Sequence, residues 1–138
     1  MFEEILVRMM KPINTAVIIL LGFATLLWGL WVVSPFWDVF STAAVYSHLA
    51  YLPEWFWGMF AIISGIVMMW GVARGSWKSL MWGSWIGFVH WFVIDLLYWT
   101  GDWQNTAGIT VLAFVLYSLL IHINLSVNRK SINNDEDE

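Results

Sequence analysis

Four times between Ile13 and Leu125 the chain runs for about 20 residues with almost nothing that water would solvate, enough at 1.5 Å per helical residue to cross ~30 Å of hydrocarbon. Lipid offers no partner to a backbone N–H or C=O, so a segment that crosses it must satisfy those groups itself, as an α-helix does. The runs are Ile13–Val33, Trp55–Ala73, Ser79–Trp99 and Thr106–Leu125. Pro12 and Pro53 stand at or just before the start of the first two, where a missing N–H costs no hydrogen bond, and Ser34-Pro35 stops the first. Composition closes off the soluble alternative. Of 138 residues 60% are hydrophobic and 12% charged, against roughly a quarter charged in soluble domains. A globule of this size hides only about two-thirds of its surface, which would leave large apolar patches in water. The expected fold class is all-α: a polytopic membrane protein with four transmembrane helices and a short outer interfacial helix. One transmembrane domain covers 13–125, between an N-terminal arm, 1–12, and a polar tail, 126–138.

The charges orient it. Arg8, Lys11, Arg74, Lys78, Arg129 and Lys130 are the six basic residues, and four spans place all of them on one side. The remaining two loops hold only Asp38, Glu54 and Asp102. Basic residues stay inside, so both termini are expected to be cytoplasmic and the protein to lie in the inner (cytoplasmic) membrane. Glu3 and Glu4, with a first apolar run too long for a signal h-region, argue that this helix is retained. Trp31, Trp37, Trp55, Trp57, Trp99 and Trp103 fall near the outer interface and Trp70, Trp77 and Trp82 near the inner one, where an apolar ring with one N–H is at home. Trp85 and Trp91 lie deeper and call for packing or a partner. From Phe36 to Tyr51 a helical reading puts Phe36, Trp37 and Phe40 on one side and Asp38, Ser41, Thr42 and His48 on the other, as in a helix lying in the outer interface.

Few residues carry chemistry. Zero Cys excludes disulfides, thiolate catalysis and Cys-type metal sites. No phosphate loop, HExxH or arguable Ser-His-Asp set appears, and the chain is expected not to be an enzyme. A net charge of −4, with every basic residue used at the membrane edge, excludes nucleic acid as a main partner. An ionisable residue within a span is expensive and marks a ligand or proton site by default. His90 is the best placed, about 16 Å from the cytoplasmic edge of the third helix. It shares a face with Gly83, Gly87 and Ile94, so it is expected to point at a neighbouring helix. A hydrogen-bonded structural imidazole is the plain reading; proton chemistry or cofactor ligation are the alternatives. His122 sits near the cytoplasmic end of the fourth helix with Ser118 one turn earlier. The two histidines differ in depth by about 12 Å, which disfavours one haem held between them. Asp95 lies about 140° around the helix from His90, close to the outer end, and is expected to reach the interface.

Gly83 and Gly87 form a GxxxG, and Gly22 with Gly29 and Gly58 with Gly65 repeat at seven residues. Gly71 and Gly75 make a second GxxxG. In lipid such stripes let backbones approach, so these are helix-packing faces. Lipid is the expected bound molecule, with haem or pigment an alternative. The first functional expectation is a non-catalytic structural or accessory subunit that associates through these small-residue faces into a homo-oligomer or larger membrane complex. A second is a pore: the length and charged tail are similar to phage holins, although Thr15, Thr25 and Ser64 make a poor lining for helices one and two. A third is a haem-, pigment- or quinone-binding subunit using His90 or His122 with Trp85 and Trp91. Small multidrug exporters match in size, but the first helix lacks their embedded Glu.

Overall fold

The computed structural model describes residues 15–36, 48, 51–101 and 107–128. They form four long helices: α1 (Thr15–Val33), α2 (Glu54–Arg74), α3 (Trp77–Gly101) and α4 (Ala107–Val127). All four are long and apolar enough to cross a membrane, and the described residues contain no strand. The interfacial helix expected over Phe36–Tyr51 lies outside the described residues, apart from Phe36, His48 and Tyr51.

Local chemistry sets the ends. Beyond α1, Ser34 N–H reaches back to Trp31 O and Pro35 ends the run. Pro53 precedes α2 and Glu54 opens it, a negative charge where the helix dipole is positive. At its far end Gly75 turns left-handed, φ 61°, and Ser76 N–H donates to Gly71 O at 2.8 Å while Gly75 N–H donates to Val72 O. That is a Schellman cap, which needs a residue without Cβ strain at Gly75. Gly75 is therefore a helix stop, not half of a packing GxxxG; Gly71 alone packs, against Leu80. Ser76 then caps α3, its Oγ accepting from Ser79 N–H at 3.4 Å. Arg74 lies over the Trp70 ring, 4.7 Å from its centre.

Consecutive helices are neighbours: α1 packs on α2, α2 on α3, and α3 on α4, while α1 and α4 touch sparingly. Two buried clusters result. One joins Val32, Trp57, Trp91, Ile94, Tyr98, Val111 and Val115; the other joins Ile18, Leu21, Met68, Ile121 and Leu125.

The glycine stripes are used inside the chain. A Cβ on Gly29 would sit 2.6 Å from Gly58 O, and one on Gly58 would sit 2.8 Å from Gly29 O. Seven residues along, a Cβ on Gly65 would sit 2.6 Å from Gly22 O. The backbones of α1 and α2 thus meet twice, glycine on glycine. Gly83 takes Met68 of α2, and Gly87 faces Ser64 Oγ at 2.8 Å from a would-be Cβ. Water is absent as a driving force between helices in lipid, so close van der Waals fit carries the association. The faces expected to join other chains are met instead by helices of this one.

Candidate functional site

Thr25, Ser64, Ser84, His90, Asp95, Ser118 and Asn124 of the spans are buried, and helix packing sorts most of the polar contacts into two groups. The first lies midway along the bundle. Thr25 sits between Gly22 and Gly29 on the face of α1 that is drawn in, and its hydroxyl donates to Leu21 O at 2.8 Å. Its oxygen then accepts from Trp91 Nε1–H at 3.1 Å, joining α1 to α3. Trp91 stacks on Phe114 of α4, with ring centres 4.7 Å apart. Trp28 meets both Trp91 and His90 edge to face, at 5.2 and 5.1 Å. His90 is therefore enclosed by indoles, buried, with Nε2 lacking any hydrogen-bond partner. This agrees with the expectation that it points at a neighbouring helix. The neighbour is α1, and the contact is aromatic rather than a hydrogen bond.

Asp95 departs from expectation. It is buried, 7% exposed, and its Oδ1 has no partner, while Trp99 one turn on bonds the side chain. The 140° argument holds for a helix with one buried stripe. α3 lies between α2 and α4, so its buried arc is wide enough to take in Gly83, Ser84, Gly87, His90, Trp91, Ile94, Asp95 and Tyr98 together. Across from this face, Ser64 donates to Gly83 O at 3.0 Å, and Ser118, fully buried on α4, has an unpartnered hydroxyl.

The second group lies nearer the end that carries Arg74 and Lys78. His122 Nδ1 is 3.1 Å from Ser84 Oγ, a contact between α4 and α3, and its ring lies 5.3 Å from that of Trp85. Trp77 Nε1–H donates to Leu125 O at 2.9 Å and fixes the start of α3 against the end of α4. Between them is a cleft of about 320 Å³ lined by Trp77, Lys78, Met81, Trp82, Trp85 and His122. A second cleft, about 270 Å³, occupies the seam between α1 and α4 and is lined by Val17, Leu20, Leu21, Phe114 and Tyr117. His90 lines neither cleft.

Among the described residues no group of three or more His, Asp or Glu comes together to hold a metal ion. Ser84, Ser64 and Thr25 were not legible as site residues, although a signal existed. Each lies on the arc of a glycine stripe: Ser84 next to Gly83, Ser64 next to Gly65, and Thr25 between Gly22 and Gly29. No protein-family model, curated protein or solved structure matches the chain.

Proposed function

We propose that the protein is a non-catalytic accessory subunit of the inner (cytoplasmic) membrane, with both termini cytoplasmic, that seats a partner helix in the seam between α1 and α4. The observation that carries this is Tyr117. It stands ten residues into α4, so about 15 Å from the start of that helix and near the middle of the hydrocarbon, and it is 55% exposed beside the seam. A phenol belongs at the headgroups or against a protein partner, because its hydroxyl finds nothing in acyl chains. Leu20 and Leu21 on the opposite wall supply apolar contact. The glycine faces are already occupied, so association falls to this open side. The charge asymmetry of the loops supports the orientation.

A holin-like pore has less support, since the hydroxyls of Thr25 and Ser64 are bonded to helix carbonyls and Gly87 leaves no room beside Ser64. The test is the mass of the assembly released from native membrane into polymer-bounded lipid discs. Wild type should be heavier than one chain, and Tyr117→Leu combined with Leu20→Ala should reduce it to the single chain. A wild type that is released as one chain alone rejects the reading.

A further inference from the structure

Lys78, Trp82 and Trp85 stand at i, i+4 and i+7 on α3, so they share one stripe of the helix, and all three are exposed. The stripe is one wall of the cleft of about 320 Å³ between α3 and α4, where Trp77, Met81 and His122 complete the lining. Trp82 and Trp85, 64% and 44% exposed, turn the cleft toward the outside of the bundle, so its occupant comes from the lipid phase. The helix has 25 residues, about 37 Å against ~30 Å of hydrocarbon, which places its first turn at the headgroups. Lys78 is the second residue of that turn, and Trp82 and Trp85 lie about 7.5 and 12 Å from the helix start. The lining therefore runs from a cation at headgroup level to indole plates deeper in the bilayer.

That order is the order of a phospholipid, with phosphate at the surface and chains below. Charge narrows the class. No carboxylate lines the cleft. Among the described residues the carboxylates are Glu54 and Asp95; Glu54 opens α2 at the end away from Arg74, and Asp95 lies about 27 Å along α3. Lys78 thus has no counter-ion among the described residues, and a neutral amphiphile would leave it without one. A phosphatidylcholine brings its own cation along with its phosphate, and that cation meets no carboxylate here. We infer that the cleft between α3 and α4 seats one phospholipid of net negative charge, its phosphate paired with Lys78 and an acyl chain laid over Trp82 and Trp85. Arg74 stands at the same end but lies over the Trp70 ring and outside the lining, so it has no part in the seat.

The experiment is native mass spectrometry of the full chain, released from micelles and titrated with dioleoylphosphatidylglycerol or dioleoylphosphatidylcholine. The first phosphatidylglycerol should bind about fivefold tighter than the first phosphatidylcholine, the worth of one lysine facing an anionic lipid. Lys78→Gln should remove that preference, and Arg74→Gln should keep it. Trp82→Ala, on the exposed wall and outside the core, should weaken both lipids while leaving thermal unfolding unchanged. Glycerol 3-phosphate, a phosphate without chains, should not displace the bound lipid. Equal binding of the two lipids by wild type, an unchanged preference in a folded Lys78→Gln protein, an equal loss of preference in Arg74→Gln, or displacement by glycerol 3-phosphate overturns the inference.

Discussion

Replacing Gly65 by alanine adds one methyl where two backbones touch. Its carbon would sit 2.6 Å from Gly22 O, 2.8 Å from Leu26 Cβ and 2.9 Å from Leu26 N, none of them the movable end of a side chain. α1 must therefore back away by most of an ångström, and a gap of that size forfeits a quarter to a half of each contact along the seam. Overpacking of this kind costs about 1–3 kcal/mol, and the better helix propensity of alanine returns roughly 1 kcal/mol. The net expectation is a loss of up to about 2 kcal/mol, at the upper end because the clash is with backbone. Gly22→Ala probes the same interface from the other helix, but its methyl meets Met68 Cβ at 3.2 Å, a clash of only a few tenths of an ångström. Propensity should offset it to within about 0.5 kcal/mol. Gly29→Ala should cost as Gly65→Ala does, and the double variant should lose less than the sum, since one separation of the helices relieves both clashes. The assay is unfolding in mixed micelles with increasing SDS, followed by far-ultraviolet circular dichroism. A Gly65→Ala protein at least as stable as Gly22→Ala would refute the glycine-on-glycine contact.

Two further outcomes can be read in the same assay. Thr25→Val, which keeps the shape of the side chain, should cost about 1–3 kcal/mol because it strands the buried Trp91 N–H; an unchanged stability would count against the bond between α1 and α3. His90→Phe should be at least as stable as wild type, since it keeps ring contacts with Trp28 and Trp91 and removes an unpartnered nitrogen, whereas His90→Asn should be destabilised. The opposite order would give His90 a polar partner that the aromatic enclosure does not provide.

The four helices were legible because lipid imposes one rule on every residue of a span, and a run of apolar letters records it directly. Their limits differ by a few residues where side chains rather than hydropathy decide: Ser76 caps α3, so Trp77 and Lys78 belong to the helix, and Gly75 ends α2. The glycine faces were legible as faces but not as pairs. A repeat of seven says that some backbone comes close, and it is equally consistent with a second chain or with the next helix. Asp95 was misplaced for a related reason, since counting degrees from His90 supposes one neighbour and α3 has two. His122 was visible as an ionisable group, yet its contact with Ser84 Oγ at 3.1 Å is set by how α3 packs on α4, and nothing in the spacing of α4 encodes it. Tyr117 drew no attention in the sequence because a tyrosine in an apolar run reads as core until its exposure is known.

The central claim is that α1 closes on α2 of its own chain through the glycine faces. The chain has no cysteine, so Gly22→Cys with Met68→Cys places two thiols with no competitor, where the structure puts the Gly22 methyl position 3.2 Å from Met68 Cβ. Oxidised in membranes, that double variant should form a disulfide within one chain that runs as a monomer on a non-reducing gel, and neither single variant should give a covalent dimer. A dimer band from Gly22→Cys alone, or from the pair in place of the internal bond, would show that the glycine faces meet between chains.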